Sequence, residues 1–270
     1  MMDFNGKTVV ITGGATGIGF AVAKALGGDG SRIVIGEPRR EKLDEAAEAL
    51  AKLGIDCLAV ECDVTDLAQV EALADAAWER FDRVDVVMNN AGVGMPFSTV
   101  MESSLDDVRA VFDVNFFGVW YGCRVFGQRF LEQDGEAAIY NTGSENSLFL
   151  SDPNIAAYAA SKHAVLALTE ALREQMPDRI HVGLIMPGFV SSEMTAEVAH
   201  LGMDADVYAA KVVEQMRNDE EFIVSHPYHM VHVQDRYDRL SRAYATYAPR
   251  YEGDDEHDYR TLLPKLMGEA

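Results

Sequence analysis

At 270 residues the chain is long enough for one large domain with a full core. Hydrophobic residues make up 48% and charged residues 25%, ordinary for a soluble globular protein, and no apolar run approaches the ~20 residues that would span a bilayer. The net charge of −21, from 23 basic and 44 acidic residues, argues against nucleic acid and anionic membrane surfaces as partners.

The opening MMDFNGKT has no basic stretch followed by an apolar one, so no signal peptide is expected. Cys57, Cys62 and Cys123 cannot all pair and form no CxxC, which fits a reducing cytoplasm.

Residues 7–12 (KTVVIT) read as a strand, and the turn Gly13-Gly14-Ala15-Thr16-Gly17-Ile18-Gly19 follows at once, with a helical pattern from Phe20. Strand, glycine-rich turn and helix together read as a pyrophosphate cradle, or as a structural turn without ligand: the glycines permit close approach, and free N–H groups at the helix start favour an anion. The second strand, from Arg32, ends at Glu37, about 18 residues past Gly19, where an acidic side chain can accept hydrogen bonds from the adenosine ribose of NAD and repel the 2′-phosphate of NADP. Arg39 and Arg40 leave open a turn toward that phosphate, or a role at the start of a solvated helix.

Residues 40–53 form an amphipathic helix with Leu43, Ala46, Ala47 and Leu50 on one face, stopped by Gly54. A strand over 57–62 ends at Asp63-Val64, a helix covers 68–81, and an apolar strand over 84–88 runs into Asn89-Asn90-Ala91-Gly92. Alternating strands and helices with short connections predict a doubly wound parallel sheet, about seven strands, covered by helices on both faces. Ligands bind beyond the C-terminal strand ends, where Glu37, Asp63 and 89–92 all fall.

One long helical pattern over 105–130 contains Asn115, a buried structural residue or a site residue. A strand over 137–141 ends at Thr142-Gly143-Ser144, about 14 residues before Tyr158. Within a helix over 155–175, Tyr158 and Lys162 lie one turn apart on the same face. A lysine cation there favours the phenolate, making a proton donor and acceptor near neutral pH.

A strand over 180–186 runs into Pro187-Gly188-Phe189-Val190-Ser191-Ser192. An irregular stretch to about 206 suits a substrate lid, about 190–205. A helix over 205–217, a short strand over 222–225 and a helical tail over 231–247 complete the chain, with an acidic run, Glu252-Gly253-Asp254-Asp255-Glu256, as solvated surface. One domain over 1–270 is expected, with a core of about 5–225 and an appended tail. His226, His229 and His232 are three apart, but Pro227 disfavours a regular helix there, and no metal site is expected.

TGGATGIG at 12–19, NNAG at 89–92, Asn115, Ser144, YAASK at 158–162 and PGFVSS at 187–192 together resemble the short-chain dehydrogenase/reductase family, over about 5–225. The resemblance implies a Rossmann-like fold, NAD or NADP, an alcohol or ketone substrate, and a homo-oligomer, tetramer or dimer. By it Tyr158 is the acid/base, Lys162 lowers its pKa and holds the nicotinamide ribose, Ser144 polarises the carbonyl, and Asn115 holds a water linking Lys162 to solvent. Gly13, Thr16, Gly17, Ile18 and Gly19 would cradle the cofactor. Asp63 and Val64 would flank the adenine, and Asn89, Ala91 and Gly92 the adenosine ribose side. Pro187, Gly188, Val190 and Ser192 would meet the nicotinamide end. Glu145 and Asn146 depart from the family's small neighbours beside the serine, and Ser147 is a rival to Ser144. NAD is favoured over NADP. Met95, Pro96, Phe97, Phe149, Leu150, Phe189 and Met194 suggest a partly hydrophobic substrate, aromatic, alicyclic or steroid-like. A non-catalytic dinucleotide-binding redox sensor on the same fold is the alternative, though it would not need the Asn115, Ser144, Tyr158, Lys162 set.

Overall fold

Seven short runs of apolar and β-branched residues pair into one parallel sheet: β1 Thr8–Thr12, β2 Arg32–Glu37, β3 Cys57–Glu61, β4 Val86–Asn89, β5 Ala137–Thr142, β6 Ile180–Met186 and β7 Phe222–Val224. The spatial order is β3-β2-β1-β4-β5-β6-β7. The computed structural model describes residues 2–268. Chain order reverses at β1, which pairs with β2 on one side and β4 on the other. The ends of those strands splay their following loops apart there and open a crevice.

Nine α-helices accompany the strands among the described residues: α1 Gly17–Gly28, α2 Arg40–Lys52, α3 Leu67–Phe81, α4 Leu105–Phe112, α5 Gly118–Glu132, α6 Ala156–Gln175, α7 Ala205–Arg217, α8 His229–Tyr247 and α9 Tyr259–Met267. One face of the sheet packs on α1, α2 and α7 through Val9, Ile33, Leu26, Leu43 and Val212. The other packs on α3, α5 and α6 through Val10, Val34, Leu73, Phe126 and Val165. The strands are apolar at almost every position because both faces are covered.

The single helix expected over 105–130 is in fact broken. Asp113–Phe117 forms a π-helical turn between α4 and α5. Such a turn inserts one extra residue, re-aims its side chains and frees a backbone group, and is frequent at functional sites. The stretch after β6 is also more ordered than expected, with 3-10 turns over Glu193–Leu201 that kink at Thr195 and Val198. The helix α9, which contains Pro264, was not anticipated from the sequence.

The chain divides into two compact units at Pro227/Tyr228. The first holds the sheet and α1 to α7; the second holds α8 and α9. Among the described residues no helix is long and apolar enough to cross a membrane.

Candidate active site

The turn between β1 and α1 can exist only with glycine at its critical positions. Gly13 adopts φ +60°, and a Cβ there would lie 2.9 Å from the Ala91 Cα. At Gly19 a Cβ would lie 2.3 Å from the Gly13 carbonyl oxygen. Gly13 N–H donates to the Gly36 carbonyl at 2.8 Å, tying the turn to β2. Helices α3, α4 and α7 begin with side-chain caps from Asp66, Ser104 and Asp204. Thr16, at the start of α1, makes no such bond, and the first turn of α1 carries no acidic residue. The N–H groups of Gly17, Ile18 and Gly19 therefore keep the anion-binding character of a helix start.

Asn90, which sequence reasoning passed over, builds this turn from the β4 side. Its Nδ2 donates to the carbonyls of Thr12 (3.0 Å) and Gly13 (3.2 Å), and Thr12 Oγ1 accepts from the N–H groups of Asn90 and Ala91. Asn89 corrects an expectation: its side chain is buried on the opposite face, donating to Asn141 Oδ1 at 2.9 Å and contacting Cys123 Sγ. Alternation along a strand is the reason, since neighbouring residues point to opposite faces of the sheet. That alternation is the signal that could have picked out Asn90.

At the end of β2, Glu37 is 3% exposed. Its Oε1 accepts from Arg39 Nε at 2.6 Å. The Arg39 Nη1 reaches Glu193 Oε2 at 2.8 Å and Nη2 reaches Thr16 Oγ1 at 3.4 Å. Arg40 instead pairs outward with Asp44 at 3.0 Å. Asp63 accepts from the N–H and hydroxyl of Thr65. Buried Val64 packs on α5, where Gly118 leaves room for it.

The loop after β5 brings Ser144 to Tyr158 and Lys162 on α6. Ser144 is 5% exposed, its Oγ accepts from Asn146 N–H at 3.1 Å, and it lies close enough to Tyr158 to ease ionisation of the phenol. Ser147, the rival serine, is engaged elsewhere: its hydroxyl donates to the Lys162 carbonyl at 2.8 Å and accepts from Ser144 N–H. Lys162, 3% exposed, lies 5.8 Å from the Tyr158 ring centroid and donates from Nζ to the Thr142 carbonyl at 2.9 Å. Asn115, in the π turn, is fully buried. Its Oδ1 accepts from Val93 N–H at 2.8 Å, and its Nδ2 donates to the Val93 carbonyl and to Ser161. It thereby fixes the loop after Gly92, at which a Cβ would lie 3.2 Å from Asn115 Oδ1 and 3.6 Å from Lys162 Nζ.

Burial acts on both Tyr158 and Lys162. Burial raises the Tyr158 phenol above its ordinary value, the nearby Ser144 hydroxyl offsets part of that rise, and the Glu145 carboxylate adds to it. Lys162 is itself pushed down to about 8 by burial. An ammonium in a dry site is costly, so burial works against charge on both members of the pair. Burial also raises Glu145, next to Ser144, to about 7.

The loop after β6 closes the other side of the crevice. Pro187 accepts at its carbonyl from Glu145 N–H at 2.8 Å, and Gly188 and Phe189 follow, partly exposed. Val190 is buried and bridges to Met203. A Cβ at Gly17 would lie 3.1 Å from the Ser192 Cβ. Of the apolar pocket candidates, Phe149 is buried, while Phe97, Leu150 and Met194 are exposed. Among the described residues no group of three or more His, Cys, Asp or Glu is placed to hold a metal ion.

The profile of the short chain dehydrogenase family matches residues 7–201. The chain is 40% identical over 199 residues to 1-deoxy-11-beta-hydroxypentalenate dehydrogenase of Streptomyces avermitilis, covering 72% of each. It is 36% identical over 197 residues to 3beta-hydroxysteroid dehydrogenase 1 of Eggerthella lenta, covering 72% of this chain and 75% of that one. A crystal structure of a short chain dehydrogenase/reductase from Burkholderia phymatum in complex with NAD superposes with a TM-score of 0.85 at 32% identity, over 90% of this chain and 97% of that one. With the family profile over most of the chain and relatives of this similarity, the chain belongs to the short-chain dehydrogenase/reductase family.

Proposed function

We propose that the protein interconverts a secondary alcohol and a ketone with NAD, the substrate being partly hydrophobic and alicyclic or steroid-like. The observation that carries this is the meeting of Ser144, Tyr158 and Lys162 at the C-terminal end of β5. The hydroxy-dehydrogenase names of the two relatives support the substrate class.

The residues fit a nicotinamide dinucleotide. The Gly13–Gly19 turn would fill with side chain at any non-glycine critical position, and the start of α1 offers N–H groups to a pyrophosphate. Glu37 uses Oε1 for Arg39, leaving Oε2 for ribose hydroxyls. NAD is favoured over NADP because Arg39 is committed to two carboxylates and a hydroxyl, and Arg40 to Asp44. By the family's pattern Asp63 and Val64 would flank the adenine, Ala91 and Gly92 would lie beside the adenosine ribose, and Val190 and Ser192 would meet the nicotinamide end.

When bound, the cofactor supplies hydride chemistry: it accepts the carbinol hydrogen with its electron pair, or returns it. Tyr158 moves the proton at its phenolic oxygen. In reduction it donates to the carbonyl oxygen; in oxidation it takes the alcohol proton. Ser144 donates to the same oxygen, so the two hydroxyls stabilise the charge that develops there. Lys162 holds a proton within the site and orients the nicotinamide ribose. The raised phenol pKa keeps Tyr158 protonated at neutral pH, the form that suits reduction, so oxidation is expected to accelerate as pH rises.

The test is a binding titration of NAD(H) and NADP(H) on the wild type and Glu37→Ala, then a screen of alicyclic and steroid alcohols. Tight NAD(H) binding weakened by the substitution supports the reading. A preference for NADP(H) overturns the cofactor choice, and binding of neither overturns the oxidoreductase assignment.

A further inference from the structure

Arg39 touches three parts of the chain that are far apart in sequence. Nε meets Glu37 at the end of β2, Nη2 meets Thr16 at the start of α1, and Nη1 meets Glu193, the first residue of the 3-10 segment after β6. Lys42 adds a second, longer contact to Glu193 at 3.8 Å. The neighbours of Glu193 press down at the same place. Ser192 sits against Gly17, and Met194 Cγ lies 3.5 Å from where a Gly94 Cβ would be. The start of the 193–201 segment therefore spans from the glycine-rich turn to the loop after β4, across the mouth of the crevice.

Inside itself the segment is well tied. Thr195 Oγ1 donates to the Val190 carbonyl, Ser192 N–H donates back to Thr195, and Ser191 donates to the Ala199 carbonyl. It is thus a preformed unit with a few external anchors. The apolar side chains Met194, Val198 and Leu201 are about half exposed or more, so apolar burial contributes little to holding it down.

We propose that the Arg39–Glu193 pair is a clasp holding residues 193–201 across the crevice, and that its opening admits the dinucleotide. Arg39 and Glu193 then act as positioning residues: they set how often the crevice opens. This rests on the dinucleotide reading above. Because the side chains of Arg39 and Glu193 are 51% and 47% exposed, the clasp is weak and sensitive to salt. A weak clasp suits a part that must open in every turnover.

Glu193→Gln keeps the size and removes the charge, and Glu193→Asp keeps the charge. Two readouts serve: hydrogen–deuterium exchange of 193–201 in the free chain, and stopped-flow association and dissociation of NADH. At low salt, Glu193→Gln is expected to speed exchange in that segment by about two- to five-fold, and both NADH rates by a similar factor. Glu193→Asp should restore part of each, and salt should bring the wild type to the variant's values. Unchanged exchange in Glu193→Gln overturns the clasp. Faster exchange with unchanged NADH rates overturns its role as a gate. A wild type that binds no dinucleotide ends the functional reading and the gate with it, while the exchange comparison still decides whether the pair holds the segment.

Discussion

At the β5–α6 end of the crevice, Ser144, Lys162 and Asn115 are each at most 5% exposed, and their polar atoms are spoken for by backbone carbonyls, N–H groups or buried hydroxyls. At the β2 end, Arg39 is half exposed and holds Glu37, Thr16 and Glu193 by charge and long side chains. The first arrangement is dry and preorganised, so each group meets the reaction already in place. The second is screened and adjustable, and on the reading proposed above it lies where the dinucleotide enters. Chemistry and entry are therefore governed by different forces, and substitutions at the two ends should fail differently.

The largest effect is expected from removing the proposed acid/base. Tyr158→Phe should lower turnover by about two to four orders of magnitude while NADH affinity changes by less than about three-fold. Steady-state rates and a binding titration on one preparation check this. Equal loss of binding and turnover would mean that the dry end also governs entry, and the division between the ends would collapse. Gly19→Ala is the counterpart at the turn. A Cβ there meets the Gly13 carbonyl at 2.3 Å and Asn90 Nδ2 at 2.6 Å, so the turn must shift. NADH affinity should fall by at least about ten-fold. Gly28→Ala, where a Cβ meets nothing within 4 Å, serves as the control and should bind NADH as the wild type does.

A finer test of the dry end uses stability. Lys162 is held near 8, against an ordinary 10.5, by burial. The unfolded chain therefore binds the extra proton between those values, and stability rises with pH across that window. The lysine's cost is full below about pH 8 and fades toward 10.5. Lys162→Met should thus abolish activity yet stabilise the fold by about 1–3 kcal/mol at pH 7. The gain should disappear near pH 10.5. Denaturant melts at pH 7 and pH 10 decide it; a gain that does not shrink with pH would mean packing, not charge, is responsible.

The two ends also differ in how much of them could be read from residues alone. Tyr158 and Lys162 were legible because helical spacing puts them on one face, and Glu37 because a strand end follows the glycine turn at a set distance. The parallel sheet was legible because strands buried on both faces are apolar throughout. The π turn around Asn115 was not, since no residue type marks an inserted residue in a helix. The burial that acts on Tyr158 and Lys162 together was not legible, because proximity of a lysine in sequence says nothing of it. The glycine turn's support from Asn90 was overlooked in favour of Asn89, although strand alternation distinguishes them. The clasp was out of reach, because Arg39 and Glu193 are far apart in sequence and only folding sets them 2.8 Å apart.

Arg39 and Arg40 give the smallest and sharpest comparison. As neighbours in sequence they were equal candidates to read a 2′-phosphate. Folding separates them: Arg39 turns inward to Glu37, and Arg40 turns outward to Asp44 one helical turn along α2. An exposed pair of that kind is screened and contributes little. Arg40→Gln should therefore leave the ratio of NAD to NADP affinity within about two-fold at physiological salt. Arg39→Gln should move NAD affinity further, because it releases the Glu37 carboxylate, the proposed ribose acceptor, and frees Glu193 at the same time. Parallel titrations of both cofactors on both variants separate the cases. A selective loss of NADP affinity in Arg40→Gln would show that the outward arginine swings back when a phosphate is present, and the β2 end would then be a reader of charge as well as a clasp.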